Sequence, residues 1–359
     1  MLKALLELYR LFLSPLIWLL RLIYIIYPKK NHVICGSWLM KKTSDNSYEF
    51  HKNSSLNTFF ISKEKKQIHP WSIKGIHIHL SSKFAIVCSG KGDINKYLFH
   101  GNYVNLWHGS PIKKILLENK KVGFPFLNTF RAYTQPWNSE FYKIHVTSMG
   151  EIWDPILSKS FGISNSKILP FGYPRNDCFS NSRVVKNRFI YMPTWRDTGR
   201  FKLKDALGEL SQLNSNLKKR NIELYISAHP TLEMELANYS NIKKVPKTSN
   251  INEFLFTCQL LISDYSGAVI DFMLTSRRIV LNLFDYKDYI NLCRELNFKK
   301  TQLEENFECV YSPQELSNHL FHKTHNETRY VKNSKSFIGY QKRSSTEKID
   351  KWLTNNLII

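Results

Sequence analysis

Two histidines stand where an apolar run ends and a turn begins: His108 within Asn105–Ile115, NLWHGSPIKKI, and His229 within Ser227–Pro230, SAHP. Histidine exchanges a proton near neutral pH, so such a pair can supply a general base and a cation for a phosphoryl oxygen. Around His108 the local chemistry is richer than a lone histidine requires. Gly109 permits a tight turn, Ser110 suits an N-cap and Pro111 a first helical position, which together predict a helix starting there. Lys113 and Lys114 would then lie in its first turn, where cations are unfavourable by roughly 0.3–1 kcal/mol each. A bound phosphate would remove that conflict. The alternative is a structural histidine beside solvated lysines.

Two further loops follow apolar runs. In Pro193–Asp197, PTWRD, Arg196 can grip a phosphate in bidentate fashion with Asp197 orienting it, or the two can form a plain surface pair. In Ser263–Gly267, SDYSG, small residues expose backbone N–H groups on which a diphosphate can rest. There too a plainer reading stands: Ser266 caps a helix and Asp271 serves its dipole. No DxD and no acidic cluster accompanies these loops, so the sequence leaves a Mg²⁺ requirement open.

The elements that must carry these loops read as alternating short apolar strands and helical stretches, an α/β pattern. Strands are expected near His32–Cys35, Lys83–Cys88, Tyr103–Trp107, Arg188–Met192, Glu223–Ser227, Gln259–Ser263 and Arg278–Leu283. Their continuous apolar character suits parallel strands buried on both faces. The turn-rich stretch from Phe171 to Arg188 is the expected linker, dividing the chain into residues 1–30, 31–180 and 181–359. The last two would be doubly wound domains facing a cleft, with ligands beyond the carboxyl ends of the strands. The stretch after about residue 310 is expected to close the second domain with helices.

Composition narrows the classes. The 359 residues carry 51 Lys and Arg against 29 Asp and Glu, a formal net charge of +22, and 43% are hydrophobic, which excludes a disordered chain. With 14 Gly and 13 Pro and no repeat, collagen-like and solenoid architectures are excluded as well. The six cysteines are scattered without CxxC or zinc-like spacing, so reduced thiols are expected. Residues 1–27 are rich in Leu, Ile, Trp and Tyr, but Arg10 and Arg21 bound a run that is too short to span a bilayer and contains Pro15. An amphipathic helix lying on the membrane is the expectation, with a tilted span and a soluble core helix as the alternatives. The basic clusters at Lys63, Lys65 and Lys66, at Lys218, Lys219 and Arg220, and at Lys243 and Lys244 then favour an anionic membrane surface. Nucleic acid is not expected, because charge is its only support.

Taken together, these motifs resemble the CDP-glycerol:glycerophosphotransferase family, the teichoic-acid and capsule polymerases and primases. The matching pieces are Ser44-Asp45-Asn46, WHGSPIKKI at 107–115, GYPRND at 172–177, PTWRD at 193–197, His229, SDYSG at 263–267 with Asp271, and Phe284-Asp285-Tyr286. The resemblance implies a GT-B-like pair of Rossmann-type domains, peripheral on the cytoplasmic face of a bacterial membrane. It implies transfer of a polyol phosphate from CDP-glycerol or CDP-ribitol to a hydroxyl of a lipid-linked saccharide, with release of CMP. On the family pattern His108 is the catalytic base and His229 a second catalytic histidine near the donor phosphates. Lys113, Arg175, Arg196, Asp264, Ser266 and Gly267 are donor-side candidates, and Ser44, Asp45 and Asn46 acceptor-side ones. The chain departs from the pattern in having Gly267 where a second Ser or Thr is usual, a short N-terminal domain and no long accessory region. Priming or single addition is therefore as well supported as long-chain polymerisation. A GT-B glycosyltransferase using a nucleotide sugar and a non-catalytic membrane-surface binder are the competing readings.

Overall fold

The computed structural model describes residues 2–41, 44–119, 143–196, 201–227, 239–246, 250–321, 334–341 and 344–357. Among the described residues twelve strands form two six-stranded sheets. The first contains β1 (Lys30–Gly36), β2 (Thr58–Ile61), β3 (Ser82–Val87), β4 (Asn102–Asn105), β5 (Ile144–Thr147) and β6 (Ile168–Leu169), in the order β2-β1-β3-β4-β5-β6. The second contains β7 (Arg188–Met192), β8 (Glu223–Ile226), β9 (Ile242–Lys244), β10 (Leu260–Ser263), β11 (Arg278–Asn282) and β12 (Glu308–Val310), in the order β12-β11-β10-β7-β8-β9. Neighbouring strands in both are parallel. The architecture is α/β with two parallel sheets, as expected.

The seven strands expected from the sequence are present; β10 and β11 are buried throughout, while β8 alternates, with Leu224 and Ile226 buried and Glu223 and Tyr225 partly exposed. Four of the five not expected, β2, β6, β9 and β12, lie at sheet edges. An edge strand has fewer neighbours to bury it: Lys244 at the end of β9 is exposed, so the apolar run that announces a buried strand is missing.

The C-terminal helix Ser345–Leu357 departs from the expectation that it closes the second domain. Its Ile349, Leu353 and Leu357 pack with Val33, Phe84 and Val104 of the first sheet. Asp350 accepts bonds from Ser54 Oγ at 2.6 Å and from Ser55 N at 2.7 Å, and Trp352 stands edge-on to Phe84. The chain thus returns to its first layer after completing the second sheet.

The N-terminal helix α1 (Leu2–Ile26) docks through Ile17 and Tyr24. Tyr24 Oη donates to the Ser82 carbonyl at 2.6 Å, and its ring meets Phe99 and His100 edge-on. Phe12, Leu16, Leu19, Leu22 and Ile26 remain exposed, Phe12 at 82% and Ile26 at 80%. Among the described residues no helix is long and apolar enough to cross a membrane.

Candidate active site

A parallel sheet opens a crevice where successive connections reverse direction. In the first sheet that point lies between β1 and β3, and the loops after β1, β3 and β4 meet there. β4 ends in Asn105, whose Oδ1 accepts the Trp107 N–H at 2.8 Å and turns the chain sharply; Trp107 has a φ of 52° and Gly109 one of 130°. The turn projects His108 into the crevice. Its Nδ1 lies 3.3 Å from the Cys88 carbonyl, so Nδ1–H donates there and Nε2 is left as the proton acceptor. The imidazole is tilted against Trp107, with centroids 4.2 Å apart, and against Trp38 of the β1 loop, at 5.3 Å. Burial pushes its pKa below the ordinary value, assisted by Arg175 and Lys113 and opposed by Asp45 and the Cys88 carbonyl. A neutral imidazole with a free Nε2 is the form a general base needs.

The helix predicted from Ser110 does not form. Lys113 instead makes an antiparallel bridge with Leu296, while Lys114 N donates to the Glu295 carbonyl at 2.9 Å and Asn297 N to the Ile112 carbonyl at 2.8 Å. These backbone bonds lead to the segment following β11, so the loop is an inter-sheet seam and its lysines meet no helix dipole. Lys114 pairs with Glu295 across the seam. Lys113 is partly buried and close enough to His108 to oppose its protonation.

The three early-loop candidates lie beneath this turn. Ser44 is the N-cap residue of α2 (Asp45–Asn53) and makes no side-chain capping bond. Asn46 is fully buried; its Nδ2 donates to the Trp107 carbonyl at 2.7 Å and its Oδ1 accepts from Arg175 N at 3.0 Å. Asp45, at a φ of 72°, takes Arg175 Nη1 at 2.9 Å. Arg175 reaches in the other direction to Asp271 at 2.7 Å, while Asn176 Nδ2 donates to the second oxygen of Asp271 at 2.8 Å. Burial works against the Arg175 charge, but Asp271 and Asp45 outweigh it and hold the guanidinium more firmly protonated than usual. Arg175, expected on a phosphate, thus bridges the loops of the two sheets.

In the second sheet the connections reverse between β7 and β10, and PTWRD and SDYSG follow those two strands. Arg196 is 2% exposed. Its Nη1 donates to Asp264 at 2.8 Å, and its Nε and Nη2 to Asp285 at 2.7 and 3.0 Å. Phe201, Tyr265, Phe284 and Tyr289 surround it within 6 Å, the largest separation being 5.9 Å. Asp264 also accepts Thr194 N at 2.9 Å and Tyr265 N at 2.6 Å. Arg196, expected on a phosphate, and the donor-side candidate Asp264 are therefore consumed by a knot that ties three loops together. Ser266 Oγ accepts from Ala268 N at 3.3 Å, but the N-cap residue of the short helix Ala268–Phe272 is Gly267, which makes no side-chain capping bond. Asp271 serves Arg175 and Asn176 rather than the helix dipole.

The two crevices meet at their glycines. A Cβ on Gly267 would lie 3.1 Å from the Ser110 carbonyl oxygen and 3.3 Å from Gly109 Cα. The side chain usual at position 267 would press on the His108 turn, which gives a physical reason for the glycine. His229 and Asp197 lie outside the described residues. Among the described residues no three His, Cys, Asp or Glu side chains converge to hold a metal ion. The sequence reading missed Trp38, the Cys88 carbonyl and the partners of both arginines; three consecutive left-handed residues, Trp38 to Met40, carry no local signal for that conformation.

Residues 34–354 match the model of the CDP-glycerol:poly(glycerophosphate) glycerophosphotransferase family. The chain belongs to this family. Among curated glycerophosphotransferase relatives, it is 26% identical to a teichoic acid glycerol-phosphate transferase of Staphylococcus aureus over 52% of this chain and 53% of that one. It is 26% identical to a teichoic acid poly(glycerol phosphate) polymerase of Bacillus subtilis over 75% of this chain and 41% of that one. The chain thus spans about half the length of these relatives. The wall teichoic acid polymerase TagF, in its H548A form, superposes with a TM-score of 0.75 at 17% identity over 99% of this chain and 98% of that one. A UDP-N-acetylglucosamine 2-epimerase from Listeria monocytogenes shares the two-sheet architecture at a TM-score of 0.53 and 12% identity, over 90% and 94% of the two chains.

Proposed function

We propose that this glycerophosphotransferase moves glycerol phosphate from CDP-glycerol to a hydroxyl of a lipid-linked saccharide, releasing CMP. The observation that carries the reading is His108, neutral, with Nδ1 committed to the Cys88 carbonyl and Nε2 left to accept a proton, on a turn that touches the Ser266–Gly267 loop. The acceptor oxygen forms a bond to the phosphorus bearing the polyol. The anhydride P–O bond breaks, its electron pair leaving with CMP, and the hydroxyl proton passes to His108 Nε2. Lys113 and the backbone N–H groups of the Ser266–Gly267 turn are the donor-side contacts; Arg175 and Arg196 act by holding the loops. The family match and the TagF H444N structure with CDPG support a CDP-polyol donor. Ribitol-phosphate polymerases among the relatives make CDP-ribitol the donor to compare.

The exposed stripe of α1 supports a peripheral position on the cytoplasmic membrane face. Phe12, Leu16, Leu19, Leu22 and Ile26 would enter the acyl boundary, with the chain's +22 charge drawn to anionic headgroups. Leu16→Asp with Leu19→Asp should abolish cosedimentation with anionic vesicles.

The deciding assay is CMP release from CDP-glycerol and from CDP-ribitol with a lipid-linked disaccharide acceptor. Acceptor-dependent CMP that falls by at least about 10²-fold in His108→Ala is expected. Turnover of a nucleotide sugar with neither CDP ester consumed would establish the glycosyltransferase reading instead. Product length in the same assay separates priming from polymerisation.

A further inference from the structure

Asp93 is fully buried beneath the two loops that flank His108. Its Oδ1 accepts the Leu39 N–H at 2.8 Å and the Ser89 hydroxyl; its Oδ2 accepts Cys88 N at 2.9 Å and Ser89 N at 2.6 Å. Each loop it holds contributes one of the surfaces that fix the imidazole. Leu39 follows Trp38, whose ring lies against His108, and Cys88 provides the carbonyl that takes His108 Nδ1–H. The Trp38 loop needs such a tie. Trp38, Leu39 and Met40 have φ values of 46°, 57° and 62°, a left-handed run that non-glycine residues hold only where surrounding bonds fix it. Two glycines admit the carboxylate's own turn. A Cβ on Gly36 would lie 2.0 Å from the Asp93 carbonyl oxygen, and one on Gly92 2.8 Å from Leu39 Cδ2.

We propose that Asp93 is a positioning residue for His108: a single carboxylate locks the Trp38 wall and the Cys88 carbonyl together, fixing the plane and the tautomer of the base. This rests on His108 being that base. Among the described residues, the charged groups that act on the imidazole are Asp45 from α2, Arg175 from the turn after β6 and Lys113 from its own loop. Asp93 is not among them and acts through geometry. In Asp93→Asn an amide N–H₂ or a single oxygen must face donors that a carboxylate satisfies with two oxygens. The walls should loosen and water should reach the imidazole.

The test measures kcat and KM for CDP-glycerol against pH on folded Asp93→Asn, Trp38→Ala, Trp38→Phe and His108→Ala enzymes. Asp93→Asn and Trp38→Ala should lower kcat by about 10- to 100-fold with KM changed less than about 3-fold. In both, the acid limb of the profile should move up toward the ordinary histidine value of 6.5, because burial no longer depresses His108 as far. Trp38→Phe should restore most of kcat and the original limb. A role in stability alone would reduce the yield of folded enzyme and leave the limb in place. Wild-type kcat and an unmoved limb in Asp93→Asn, beside an inactive His108→Ala, would overturn the positioning role and leave the base intact; an active His108→Ala would remove both. If Asp93→Asn does not fold by circular dichroism, the Trp38→Ala and Trp38→Phe pair decides by the same criteria.

Discussion

Arg196 and Arg175 each sit between two carboxylates, yet they hold different things together. Arg196 is 2% exposed, and Asp264 and Asp285 both come from loops of the second sheet. Arg175 is 11% exposed; Asp45 follows β1 of the first sheet, and Asp271 follows β10 of the second. The same planar fork is thus used once to rigidify a crevice and once to join loops of the two sheets. Charge pairing alone does not say which. The origin of the carboxylates decides whether losing the arginine costs folding or alignment.

The largest effect should come from Arg196→Met. It leaves the fully buried Asp264 and the half-buried Asp285 without a counter-ion, and breaking a buried pair from one side costs about 3–5 kcal/mol. Thermal and urea unfolding should show a loss of that size, and a shift under about 1 kcal/mol would mean that the knot is not what holds the second crevice. Arg175→Lys should behave in the opposite sense. An ammonium cannot span Asp45 and Asp271 as two diverging guanidinium nitrogens do, so His108 and the Ser266–Gly267 turn lose registration. We expect kcat/KM for CMP release to fall about 10²-fold with little change in the unfolding midpoint. A variant that unfolds early but, while folded, keeps its kcat/KM would reverse the distinction between the two arginines.

A double-mutant cycle sharpens the comparison further. Asp45→Asn and Asp271→Asn share one guanidinium, so their stability effects should couple by about 0.5–3 kcal/mol. Asp45→Asn combined with Asp285→Asn has no common partner among the described residues and should be additive within about 0.5 kcal/mol. Coupling in the second pair as strong as in the first would show that the two crevices form one network.

These pairings explain which parts of the molecule were legible in the sequence. Interior strands announce themselves where burial on both faces gives an uninterrupted apolar run, as in Leu260–Ser263, whereas interior β5 is interrupted by His145 and was not expected. The site loops were legible as positions, since a polar turn follows each such run. Their partners were not. Arg196 meets Asp285 across 89 residues and Arg175 meets Asp45 across 130, separations over which no local pattern acts. Spacing therefore offered phosphate as the partner of a lone arginine, where the fold supplies carboxylates. The expected helix at Ser110 failed for a related reason: the backbone of that loop is paired with Glu295 and Leu296, far along the chain, and local capping signals were outweighed by a tertiary contact. The C-terminal helix shows an apolar stripe but not which sheet it covers, a choice made by the bonds between Asp350 and Ser54, 296 residues apart.

A third arginine supplies the smallest effect and a pH signature. Arg278 of β11 faces one carboxylate, Glu308 of β12, in a bidentate pair at 2.6 and 2.7 Å, with His319 against the same carboxylate. Burial raises the Glu308 pKa, but Arg278 and His319 outweigh it and hold the carboxyl below its ordinary value of 4.5. Because the folded value is the lower one, the pair stabilises the protein above the unfolded value of 4.5 and loses that contribution as pH falls through the folded value. Glu308→Gln keeps the shape, one acceptor and no charge. At neutral pH it should be less stable than the parent by about 1–2 kcal/mol, less than Arg196→Met because the pair lies at the sheet edge and no second carboxylate is stranded. Below the folded value both proteins carry a neutral side chain there, so their urea midpoints should converge. A difference that persists unchanged into acid would assign the effect to packing, and Arg278 would then belong with neither of the two knots.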